Sequence, residues 1–313
     1  MRKILILCII ILFNLSAQNA NTFENRIIYK IDNEIITSYD INNQFKYLSI
    51  LNPKLLDLDE KTIFEVSEIS IIKEKIKKIE INRNLKSLKT IDNDYFEKIL
   101  KNYFTQLGFE TKDKFESHLI QSNLKIEEFR EKITIEALWS QLIYQKYKER
   151  LKIDENEIKR KILNEINKNI VTYNLSEIIF NIENNESFEG KFKFIKDKIN
   201  QNGFESTAMM YSVSQSSNIG GKLGWVNENS INLKIIDEIK RLEKGNYTKP
   251  ITIPGGFLIL KLNDYKTIKN NSDIDIDAKV NEFKNLIIQE QLDQFSNIHY
   301  NKLKKNLKIE KKI

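Results

Sequence analysis

Cysteine is almost absent from this 313-residue chain, whose one copy, Cys8, lies inside an apolar run near the start. A lone thiol excludes an intrachain disulfide, and no zinc or redox motif can be built from it. A chain of this length buries enough apolar surface to fold without such staples. Histidine is as scarce, with only His118 and His299. Nine Gly and three Pro punctuate the whole chain, so segment limits have to be read from apolar periodicity. No glycine-rich phosphate loop is present, and no nucleotide is expected to take part. Neither charge sign dominates: 50 Lys and Arg stand against 44 Asp and Glu. The two signs alternate closely, as in Lys73-Glu74-Lys75, and mark solvated helix faces rather than a stripe that would track nucleic acid.

What is there begins with Met1-Arg2-Lys3, an apolar run from Ile4 to Phe13 and small residues around Ser16-Ala17-Gln18-Asn19-Ala20. That is the layout of a secretory signal over residues 1–20, with cleavage expected after Ala17 or Ala20. The run is shorter than the roughly 20 residues a spanning helix needs, although an uncleaved anchor is the alternative reading. Beyond it, peripheral membrane contact or none is expected.

Arg26 to Ile31, Asp32-Asn33 and Glu34 to Ile36 read as strand, tight turn and strand, because Asp and Asn tolerate positive φ. Thr37 with Asp40 three residues on forms a capping box for the next helix. Ile69, Ile72, Ile76 and Ile79 place one apolar face on a helix over residues 61–88. Further helices are expected from Asn93 to Leu107, around Phe115 and Leu119, from Lys125 to Arg150, and after an Asp154/Glu157 cap. Residues 24–168 thus form a helical N-terminal domain.

Near Ile170 the character changes to β-formers, followed by a helix from Glu189 to Asn200 and a glycine-rich stretch from Gly203 to Gly224. A compact mixed domain is expected over 171–265, then a polar linker over 266–277. A C-terminal helix and a short strand at Leu307-Lys308-Ile309 complete residues 278–313. One-sided apolar helices cannot stand alone in water, so the C-terminal helix should pack on the N-terminal ones. The fold class is α+β: a mostly helical module with one inserted mixed domain.

The segment from Tyr211-Ser212 to Gly220-Gly221-Lys222-Leu223-Gly224-Trp225 resembles the signature of the parvulin (PpiC-type) peptidyl-prolyl isomerase family. Leu242 to Ile251 and the strand Gly256 to Leu262 are similar to its later stretches, covering roughly residues 172–263. The opening Ile31-Asp32-Asn33-Glu34-Ile35-Ile36-Thr37 is similar to that of SurA-like chaperones, in which a helical module surrounds the parvulin domain. The resemblance implies a periplasmic chaperone that binds unfolded or proline-containing polypeptides, outer-membrane precursors above all, without a cofactor.

Turning an X-Pro bond means crossing a barrier of about 18 to 20 kcal/mol. For the polar groups that favour the twisted amide, the resemblance implies two histidines and a cysteine or aspartate. Here those positions carry Glu177, Leu258 and Ser214. Leucine makes no hydrogen bond and an ionised Glu177 repels a carbonyl oxygen, so weak or absent turnover is expected. An active isomerase with Glu177 protonated by burial is the alternative. For the apolar proline pocket the resemblance implies Leu223, Ile231 and Ile235, with Phe257 beside them; ordinary core packing is the competing reading of these residues. No metal ligands are expected. His118 and His299 fall in the helical module, as exposed or satisfied helix residues.

Overall fold

Asp32 and Asn33 reverse the chain between β1 (Ile27–Ile31) and β2 (Glu34–Thr37), with Asp32 in the left-handed region at φ 49°. The computed structural model describes residues 25–85, 90–163, 169–182, 186–269 and 275–312, so the expected signal at 1–20 lies outside the described residues. Thr37 caps α1 (Ser38–Leu51) reciprocally. Its hydroxyl accepts from the Asp40 N–H, and Asp40 Oδ2 accepts from the Thr37 N–H at 2.8 Å.

Next come α2 (Glu60–Asn84), α3 (Asn93–Gln106), α4 (Lys112–Gln121), α5 (Ile126–Tyr147) and α6 (Glu155–Leu163). Phe96 and Leu100 of α3, Phe115 of α4 and Phe129 of α5 are fully buried around Tyr47. The Phe115 and Phe129 rings meet edge-on at 5.2 Å, a favourable aromatic geometry. On α2 the apolar stripe differs from the expected one. Ile71, Ile76, Ile79 and Ile81 are buried, whereas Ile69 and Ile72 stay half-open. The cause is that α2 packs against α1 on one side and against α5 and α9 (Ile276–Asn306) on another, so more than one face is covered.

The long helix α9 returns to the N-terminal helices, lying against α6, α5 and α2. After it, Leu307 is buried in the shared core and β7 (Ile309–Lys311) pairs antiparallel with β1, giving the order β2-β1-β7. The strand starts two residues later than expected because Leu307 is the buried cap of α9.

Between these parts stands an antiparallel sheet in the order β4-β3-β6-β5, made of β3 (Asn169–Phe180), β4 (Lys222–Asn227), β5 (Ile251–Ile253) and β6 (Gly256–Lys269). Two features were not anticipated. Residues 266–269, expected to be loop-like, continue β6 and pair with the start of β3, Lys266 opposite Thr172 and Thr267 opposite Val171. A polar strand is stable there because β3 supplies an equally long backbone partner. Second, the helix expected to end near Asn200 resumes after a break at Gly203 (φ 80°), so α7 spans Phe188–Tyr211. Its last turn drives Met209 and Met210 into the α1–α5 core. A short α8 (Leu233–Ile239) covers one sheet face. Among the described residues, no helix is long and apolar enough to cross a membrane.

Candidate functional site

In the β3–β6 pair Glu177 lies opposite Leu260, and Ile179 opposite Leu258. Residues paired across an antiparallel ladder share a face, so Glu177 and Leu258 look toward the side covered by α8. Ile231, Ile235 and Leu258 belong to one apolar cluster there, together with Ile236 and Val213. Leu258 is buried.

The glycine pair of the signature has a steric cause. The Glu177 N–H donates to the Gly221 carbonyl at 2.7 Å. A Cβ on Gly221 would stand 2.1 Å from the Glu177 carbonyl oxygen, and its φ of 75° disfavours any side chain. The loop from Ser212 to Gly221 is thereby pinned against β3.

That loop carries a ladder of hydroxyls. Ser216 Oγ donates to Glu177 Oε1 at 2.8 Å, Ser214 and Ser216 are 2.9 Å apart, and Ser212 and Ser214 are 2.8 Å apart. Each hydroxyl has one proton. With the Ser216 proton on the carboxylate, Ser214 must donate to Ser216 and Ser212 to Ser214, so the whole ladder points at Glu177. The Ile179 N–H donates to Ser212 Oγ at 2.9 Å and closes the far end. Burial pushes the Glu177 carboxyl up, opposed by the Ser216 and Ser214 hydroxyls and reinforced by the nearby Glu290.

The C-terminal helix α9 brings two further carboxyls to the same place. Burial pushes Asp293 up to about 7, with Gln289 donating to it at 2.9 Å and Glu177 and Glu290 adding to the rise. Burial also raises Glu290, which lines a cleft together with Ile231. On the other flank, Ser214 borders a narrow polar cavity shared with Tyr47, Lys73 and Glu136. Lys73 Nζ donates to the Ser212 carbonyl at 2.5 Å, tying the loop to α2.

The structure therefore gathers Glu177, Ser214, Leu258, Ile231 and Ile235 on one side of the sheet. It does not bring Phe257 with them: alternation along β6 turns that ring to the opposite face, where it stacks on Phe180 at 5.6 Å. Leu223 stands on β4, 41% exposed and outside the apolar cluster. His299 is enclosed in the helical core, its Nε2 3.1 Å from Glu80 Oε1 and its Nδ1 3.0 Å from the Tyr147 hydroxyl. His118 lies against the Phe109 ring at 5.1 Å. Among the described residues no group of His, Cys, Asp or Glu could hold a metal ion. Sequence reasoning missed Ser212 and Ser216, although their period-two spacing around Ser214 is visible, and missed Glu290 and Asp293, which carry no local signal.

Known proteins bear on this geometry. Residues 178–264 match the family described as rotamase, PPIC-type PPIASE domain. The chaperone SurA of Nitrosococcus oceani is 27% identical over 165 residues, covering 50% of this chain and 39% of that protein. Chaperone SurA of Pseudomonas putida is 25% identical over 161 residues, covering 49% of this chain and 38% of that protein. The chain therefore matches well under half the length of these relatives. A solved structure from a study of two SurA-like chaperones of Campylobacter jejuni aligns over 92% of this chain and 99% of its own, with 16% identity and a TM-score of 0.34. Residues 178–264 thus carry the pattern of a PPIC-type PPIase domain, and about half of the chain is similar to SurA chaperones, the combination that a SurA-like, parvulin-type protein has.

Proposed function

We infer that this chain is an exported, periplasmic holdase for unfolded outer-membrane or secreted polypeptides, whose parvulin domain turns prolyl bonds slowly or not at all. The observation that carries the second half is Leu258. It faces the proposed proline pocket, buried among Ile236 and Leu260, and offers no hydrogen bond to a twisting amide. What remains of the polar set is one acceptor, Glu177, with a ladder of hydroxyls aimed at it rather than at a substrate. Ile231 and Ile235 form the apolar wall of that pocket and Leu223 its exposed rim. Client binding rests on the helical module over 24–168 and 278–313, with the parvulin domain over 171–265 carried on by β6 to Lys269, and a signal over 1–20 removed on export.

The test is aggregation of an unfolded membrane-barrel protein with and without the chain lacking residues 1–20. Delayed aggregation at substoichiometric to equimolar chaperone supports the reading; an unchanged aggregation curve sinks it. Intact mass of exported protein reports whether residues 1–20 are lost.

A second reading, a working isomerase, is favoured by the environment of Glu177. Burial and the neighbouring Glu290 carboxyl favour its protonated form, and a protonated Glu177 donates to a prolyl carbonyl. Turnover of a proline peptide by the whole chain and by Glu177→Gln separates the two. Background turnover in both supports the holdase; brisk turnover supports the isomerase.

A further inference from the structure

A cleft of about 870 Å³ opens where α2, α9 and the β5–β6 turn meet, on the sheet face opposite the Glu177 site. Its walls are apolar and only partly covered. Ile69 and Ile72 stand on α2, Phe257 on β6, and Ile298 of α9 is 45% exposed although it lies mid-helix. Its charge is of one sign. Lys73, Lys191, Lys302, Lys304 and Lys305 line it, and among the described residues no Asp or Glu does. Along the sequence acids and bases are for the most part closely mixed, as in Lys73-Glu74-Lys75, and here they are segregated. Lys73, Lys302 and Lys305 form no ion pair among the described residues, and the Lys73 ammonium has only the Ser212 carbonyl as a hydrogen-bond partner there. Burial and the charges of Lys77 and Lys304 lower Lys73 to about 7. An ammonium so placed gains from any anion brought beside it.

One further donor is unused. Asn181 Nδ2 is buried in the wall with no hydrogen-bond partner, while its Oδ1 sits where a Cβ on Gly256 would come within 2.4 Å. A buried amide donor without a partner is unfavourable, and a main-chain carbonyl of a guest would satisfy it.

We propose that this cleft holds an extended polypeptide segment whose apolar side chains are flanked by Asp or Glu. Isoleucines and Phe257 take the apolar side chains, Asn181 takes a main-chain carbonyl, and the lysines take the flanking carboxylates. The lysines with no ion pair among the described residues lie on two elements, Lys302 and Lys305 at the end of α9 and Lys73 on α2, while Lys191 on α7 already pairs with Glu186 at 2.9 Å. A single terminal carboxylate would engage one of these sites, whereas acidic side chains spaced along an extended chain engage several. The inference rests on the chaperone reading for the nature of the guest, and names the class of segment it takes.

The test uses the full chain and three fluorescent peptides sharing one apolar core, amidated at the C-terminus, with flanks of Glu, Ser or Lys. Binding is read by anisotropy at low salt and at about 1 M salt, where screening acts within about 3 Å. The Glu-flanked peptide should bind about tenfold tighter than the Lys-flanked one, and salt should erase the difference. The double variant K302E/K305E, altered at two exposed residues, should reverse the order. Equal affinity for the three peptides, no binding of any, or an unchanged order in the variant overturns the proposal. Aggregation suppression measured on the same preparation keeps the two claims apart: suppression without a Glu preference removes the cleft assignment and leaves the holdase standing.

Discussion

Trp139 and Ser296, 157 residues apart, are joined by a 2.8 Å hydrogen bond from the indole Nε1 to the serine hydroxyl. Both are buried, and the bond fastens α9 to α5 at the centre of the helical core. Inserting the parvulin domain therefore leaves the helical module closed by contacts between distant parts of the chain.

Ser296→Ala leaves the indole N–H buried without a partner. The expected loss is about 1 to 3 kcal/mol. Urea unfolding should show a lower midpoint with an unchanged slope, since the surface exposed on unfolding stays the same.

Gly221→Ala places a methyl group against the Glu177 carbonyl and forces a left-handed backbone on a residue with a side chain. Strain and displacement together should lower stability by about 3 kcal/mol or more. Amide exchange should accelerate along β3 and β4 while the α3–α5 helices stay protected.

Leu258→Ala tests whether that residue packs or catalyses. Its burial predicts a loss of about 2 to 5 kcal/mol. If the parvulin domain is idle, as proposed, prolyl turnover should not fall; a drop in turnover beyond the loss of folded protein would show that Leu258 belongs to a working pocket.

The carboxyl cluster makes stability depend on pH. Asp293 goes from 3.8 when unfolded to about 7 when folded, so the folded chain holds the proton more tightly. Its contribution is most favourable below the unfolded value and is lost as pH climbs from about 4 to 7. Lys77 is the cation that faces it, and Glu177 and Glu290 shift in the same upward sense. The difference in stability between Asp293→Asn and the wild-type chain should grow in favour of the variant across that range. A difference that is flat with pH contradicts the burial of this carboxyl.

Much of the architecture was legible in local chemistry. The Asp32-Asn33 turn and the Thr37/Asp40 cap each depend on a few adjacent residues. The glycine pair at 220–221 located the site because a carbonyl of β3 leaves no room for a side chain there. What escaped was set by distant partners. Strand β6 continues through polar residues because β3 is long, and Met209 and Met210 are core residues only because α7 abuts the helical module. Glu290 and Asp293 sit on an ordinary-looking helix, and their approach to Glu177 is a consequence of topology that no spacing rule encodes. Phe257 was grouped with the pocket residues on likeness, while strand alternation turned it the other way.

The pairing of β7 with β1 has a consequence for how the chain matures. The Lys308 N–H donates to Asp32 across 276 steps of sequence, so the three-stranded sheet lacks its third member until the whole stretch between them has been synthesised. A chain threaded through a pore from its amino end can assemble the antiparallel β3–β6 unit from nearer neighbours first. The N-terminal hairpin meanwhile waits with one edge unsealed, and any extended stretch that reaches that edge early competes with residues 309–311 for it.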